Sequence, residues 1–101
     1  RQTGPPVIAT LRLDTGVGTI VRVAAAPPLD ASFVSCAIPR RSRARDGAVI
    51  HACLYLPRNP TCTPLPGTLP PLLVAVHGGP TARASQALNL RTQYFTTRGW
   101  A

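Results

Sequence analysis

Residues 72–82 read LLVAVHGGPTA, an aliphatic run that stops abruptly at His77-Gly78-Gly79-Pro80. Acyl transfer needs N–H donors about 2.7–3.1 Å from the oxygen that gains charge in the transition state, and main-chain amides at the end of a strand can supply them. Side chains would obstruct that approach, so glycine is chemically apt at Gly78 and Gly79. The same four residues also make a plain tight turn, because Gly and Pro punctuate strand ends. What favours chemistry is the context, a wholly apolar run of strand length immediately before them.

The other reactive side chains give weaker signals. Cys36, Cys53 and Cys62 are odd in number and match neither C-x-x-C nor a zinc ligand set, so they read as free thiols, and no metal or cofactor is implied. All eleven basic residues are Arg against three acids (Asp14, Asp30 and Asp46), for a net charge of +8. Only Arg40, Arg41, Arg43 and Arg45 cluster, and no aromatic residue is interleaved with them to stack bases, so nucleic acid is not the expected partner.

These groups must be positioned by a short chain. At 101 residues there is room for one small and marginally stable domain. With 45% apolar residues and a mean hydropathy of +0.11 it is too apolar for a disordered tail and lacks a run long enough to span a membrane. The first residues hold no secretory h-region, so cytoplasm is the default location.

Along the chain, residues 10–13 and 19–23 alternate apolar and polar around Asp14-Thr15-Gly16, the pattern of a β-hairpin. Residues 24–28 and 40–47 read as breaks, with a boundary expected near Ile38–Arg43. After the turn signal Arg45-Asp46-Gly47, residues 48–57 alternate as a strand whose Ile50, Ala52, Leu54 and Leu56 form an aliphatic face. His51 and Tyr55 on it suit sheet packing better than chemistry. Five prolines exclude a helix from 58–71. Residues 72–76 read as a strand covered on both faces in a parallel sheet. Residues 85–98 turn to helical spacing, with Leu90, Tyr94 and Thr97 on one side, Ser85 as N-cap and Gly99 as the left-handed stop; Trp100-Ala101 would open the next strand.

Taken in order, ARDGAVIHACLYLPRNP, LPPLLVAVHGGPTARAS and LNLRTQYFTTRGWA resemble the start of the catalytic domain of prolyl oligopeptidase-family serine peptidases, closest to the acylaminoacyl-peptidase and dipeptidyl-aminopeptidase branch. The resemblance is specific over 44–101 and looser before it. It implies the N-terminal portion of an α/β-hydrolase domain at 40–101, preceded at 1–39 by a hairpin from the last blade of a β-propeller. It also implies a peptide substrate. By that likeness Gly79 would donate its main-chain N–H to the oxyanion, Gly78 would complete the loop, and His77 would shape it without acting as the base.

The family's nucleophile lies in a G-x-S-x-G elbow, followed in the chain by Asp and His. None of Ser32, Ser35, Ser42 and Ser85 has such glycines, no acid follows Asp46, and no histidine follows His77. The expectation is therefore a fragment of a serine peptidase, an incomplete domain that holds one oxyanion donor and no triad and is inactive alone. Two other readings stay open. One is a piece of an esterase or lipase, since HGGG-type loops serve those enzymes too. The other is a non-catalytic basic module, or a remnant without function, presenting Arg40 to Arg45.

Overall fold

The computed structural model describes residues 5–24 and 29–101. The hairpin expected around Asp14 forms, with β2 (Gly18–Val23) close to its expected place but β1 at Val7–Leu11 instead of 10–13, because Leu13 falls in the turn. Gly16, at φ 69°, donates its N–H to the Arg12 carbonyl at 2.8 Å and closes the turn. A register shift between Ile8 and Ala9 still leaves Val7, Ala9 and Leu11 opposite Val23, Ile20 and Gly18. One face of the hairpin is thus apolar, and it is exposed. The break expected over 24–28 falls, after Ala24, outside the described residues.

Past a single 3-10 turn (Ala31–Phe33), whose Ser32 amide is capped by the Asp30 carboxylate, the chain enters a second antiparallel pair. β3 (Ile38–Arg43) pairs with β4 (Val49–Leu54) so that Arg41 faces His51 and Arg43 faces Val49. The break expected from residue 40 is therefore corrected. Arg40 to Arg43 are extended, and the turn is confined to Ala44–Gly47. There Gly47 (φ 86°) donates to the Ala44 carbonyl at 3.0 Å, and Asp46 accepts from the Ala48 N–H at 3.0 Å. Local composition misleads here because an exposed edge strand tolerates proline and favours long cations.

The run 72–76 is not covered on both faces as expected. It forms no strand, contrary to expectation, its residues are exposed, and among the described backbone bonds it is met by Ala101 alone. Ala101 donates its N–H to the Pro71 carbonyl at 2.9 Å, and Leu73 donates to the Ala101 carbonyl at 2.8 Å. Two slanted bonds to the residues flanking Leu72 are the first rung of a parallel ladder. The connection between its two sides carries helix α1 (Leu90–Thr96).

That helix starts later than the sequence suggests. Ser85 only bonds locally, to the Ala87 N–H at 3.1 Å, whereas the Asn89 carboxamide accepts from both Arg91 (2.9 Å) and Thr92 (3.4 Å) and sets the N-terminus. Its stop is the expected one. Gly99 (φ 89°) donates to the Thr96 carbonyl at 3.3 Å and Trp100 to the Phe95 carbonyl at 3.2 Å, with the Phe95 and Trp100 rings 6.4 Å apart. This is a Schellman motif with its accompanying hydrophobic contact. The buried side of α1 is polar, made by Gln93 and Thr96, while Leu90 and Tyr94 are exposed.

Among the described residues Val34 is the one buried hydrophobic side chain. The Cα radius of gyration is 17.0 Å, against about 13 Å for a compact domain of this length. The chain is thus a small α/β assembly of two two-stranded sheets and a helix, and no propeller blade closes among the described residues. No described helix is long and apolar enough to cross a membrane.

Candidate active site

His77, Gly78 and Gly79 follow the exposed run directly and are themselves exposed. Gly79 has φ 72°, in the left-handed region where side chains are strained, so glycine is required there by the backbone itself. A Cβ added at Gly79 or Gly78 would meet nothing within 4 Å, so crowding within the chain does not select glycine at either position. Neither Gly78 nor Gly79 spends its N–H, so both glycine amides are left without a backbone acceptor among the described bonds.

The serines do not complete a nucleophilic site. Ser35 is 4% exposed, and its Oγ donates to the Leu56 carbonyl at 2.6 Å. Its own peptide group is held by Gln93. Ser85 is engaged in its local turn, while Ser32 and Ser42 lie exposed on the 3-10 turn and on β3. His51 sits exposed on β4, opposite Arg41 and far along the chain from His77. Tyr55 is half-buried just beyond β4, and its phenol is pushed above the ordinary range, mainly by burial and secondarily by Cys53. Among the described residues no Ser–His–Asp arrangement is assembled, and no group of three or more His, Cys, Asp or Glu could hold a metal ion. Cys36, Cys53 and Cys62 are free.

Sequence reasoning missed the residues that hold helix α1 to the rest of the chain. Gln93, Ser35, Arg58 and Asn59 form a polar knot: the Arg58 N–H donates to the Thr96 carbonyl (3.0 Å), and Asn59 Nδ2 donates to the Thr97 carbonyl (2.9 Å). Arg58 Nε also donates to the Ser32 carbonyl at 2.7 Å. Asn89 had a legible signal, a capping residue just before the first helical Leu, but Ser85 competed with it. Gln93 had none, since its partner lies 58 residues away.

No family model matches the chain, and no curated relative matches it. Solved structures do. A puromycin hydrolase is 34% identical over 97% of this chain, with a TM-score of 0.89. A puromycin hydrolase mutant complexed with PGG is 34% identical over 98% of this chain, with a TM-score of 0.88. A puromycin-hydrolyzing peptidase of Mycobacterium tuberculosis is 35% identical over 95%, with a TM-score of 0.85. The chain spans 15% of the length of each. Along nearly its whole length it is thus similar, in both sequence and fold, to one small part of larger puromycin-hydrolysing enzymes, one of them a peptidase.

Proposed function

We propose that this chain is part of a serine peptidase of the prolyl oligopeptidase family, in which it supplies the oxyanion loop. The observation that carries the reading is the likeness to puromycin hydrolase, at 34% identity and a TM-score of 0.89 over 97% of the chain, joined to an HGGP turn with Gly79 at φ 72°. In this reading 40–101 open the hydrolase domain and 1–39 lead into it from a propeller. The substrate is an amide between an amino acid and an amine, cleaved as in acylaminoacyl- or dipeptidyl-peptidases. A serine outside these 101 residues attacks the carbonyl and a histidine takes its proton. The carbonyl oxygen gains the charge and accepts from the Gly79 N–H; the amine then leaves with the proton, and water releases the acyl group from the serine.

The test uses the natural polypeptide that contains the sequence VAVHGGPTAR. Its intact mass is expected to be several times the 10.7 kDa of this chain. It should hydrolyse an aminoacyl-arylamide; Gly79→Val keeps the main-chain N–H but cannot hold φ 72° without strain, so it should displace the donor and lower kcat by up to about a hundred- to a thousandfold, the loss for one oxyanion donor. Turnover that ignores Gly79→Val would remove the proposed role.

A further inference from the structure

A buried side-chain amide must have its hydrogen bonds met, and Gln offers one acceptor and two donors on an unbranched stem. Gln93 is 3% exposed. Its Oε1 accepts from the Ser35 N–H at 2.7 Å, and its Nε2 donates to the Ser35 carbonyl at 3.0 Å. One side chain thereby pairs with both polar groups of a single residue's main chain, as a neighbouring strand would. Ser35 is fixed in turn through its Oγ to Leu56, and the segment beyond Leu56 returns to the helix through Arg58 and Asn59. Helix α1 is therefore seated by polar bonds where a larger domain would use apolar packing.

The seat matters for the HGGP turn because both ends of its connection refer to this helix. At one end the loop runs into Asn89, the N-cap of α1. At the other, Leu73 is paired with Ala101, which follows the Schellman stop of the same helix by two residues. The segment that carries the turn is thus bounded on one side by the N-cap of α1 and on the other by a pairing with the residue beyond its stop.

We infer that Gln93, through its paired bonds to Ser35, is a positioning residue for the His77–Gly79 turn. The inference rests on the reading of Gly79 as an oxyanion donor only for its effect on rate. Its effect on loop order is independent of that reading.

The test uses the natural full-length polypeptide with Gln93→Leu and Gln93→Glu. Leu removes both bonds at similar bulk. It is expected to lower kcat by roughly ten- to a hundredfold, the range for a small misplacement of a catalytic group, with little change in KM. Amide hydrogen exchange across 77–89 should also quicken.

Glu keeps an acceptor for the Ser35 N–H but sets a second oxygen against the Ser35 carbonyl. Protonation turns that oxygen into a donor. Burial beside a carbonyl raises the carboxyl pKa, so the restored bond is present at low pH and lost as pH rises through the raised value. The variant-to-parent ratio of kcat, and of loop exchange at matched pH, should therefore recover toward one as pH falls. This readout serves even if the Leu variant does not fold.

A parent that is active, with both variants matching it in kcat and loop exchange at every pH, overturns the inference and leaves the oxyanion reading standing. So does a Glu variant that shows no recovery in acid. A parent inert toward aminoacyl-arylamides removes the oxyanion reading. Exchange across 77–89 then decides alone, with faster exchange in Leu and acid recovery in Glu upholding the positioning role and unchanged exchange overturning it.

Discussion

Asp30 shows how much single side chains do in a chain with so little buried carbon. Its carboxylate caps the 3-10 turn by accepting from the Ser32 N–H at 2.8 Å. The Ser32 hydroxyl and then the Ser32 amide hold its pKa below the ordinary carboxylate value. A depressed folded-state pKa contributes stability above the ordinary carboxylate range and loses it as pH falls through the depressed value. The natural polypeptide should therefore lose a small increment of thermal stability on acidification below about pH 4. Asp30→Asn keeps the capping oxygen without its charge, so it should lower neutral-pH stability by that small increment and abolish its loss in acid. A parent and variant with identical acid limbs would show that the cap contributes nothing there. The same scale separates the two glycines of the turn. Gly79 is demanded by its backbone torsion, whereas Gly78 meets no constraint inside the chain, so any need for glycine there must come from what approaches it.

Among the elements, β3 is the one whose sequence and conformation disagree most. Ile-Pro-Arg-Arg-Ser-Arg has neither alternation nor β-branched density, yet it pairs with β4 through six registered positions. Its role explains its composition. Pro39 and three exposed arginines are what natural sheets place on an edge that must not recruit another chain. Replacing Arg41 and Arg43 together by Val should leave the β3–β4 register intact and promote self-association, read as a rise in sedimentation coefficient with concentration. A monodisperse variant would assign those arginines another task.

The elements that sequence made legible are those whose causes are local. The Asp-Thr-Gly hairpin turn, the Arg-Asp-Gly turn and the Arg-Gly stop of α1 each need only a few adjacent residues. The HGGP turn is legible for the same reason. The remainder depends on partners distant in the chain. Strand β3 needs β4, the polar seat of α1 needs Ser35, and the exposure of 72–76 is set by a neighbour that meets it at Leu72 alone. A helix whose buried side carries Gln93 and Thr96 cannot be oriented from an apolar stripe, and Leu90 and Tyr94 pointed to the wrong face.

For the molecule as a whole, the balance of buried and exposed carbon governs behaviour. Leu72, Val74 and Val76 are 64%, 73% and 86% exposed, and the hairpin's apolar face is open as well. With Val34 as the one buried hydrophobic side chain among the described residues, the hydrophobic term is too small to hold an independent unit of this size. The isolated 101-residue polypeptide should therefore bind a hydrophobic dye such as ANS and melt without a sharp transition. A cooperative two-state melt of a monomer would contradict this. The natural polypeptide, if it supplies the further sheet that 72–76 is suited to join, should show no such dye binding.

The pairing of Gln93 with Ser35 also makes the traffic between distant parts of the chain two-way. If seating residue 35 orders the turn, then by thermodynamic linkage a ligand that binds the ordered turn must tighten the seating of residue 35 by the same factor. An occupant of the HGGP turn would thus be felt 44 residues upstream of Gly79, between the 3-10 turn and β3, as slower exchange of the Ser35 amide that Gln93 holds.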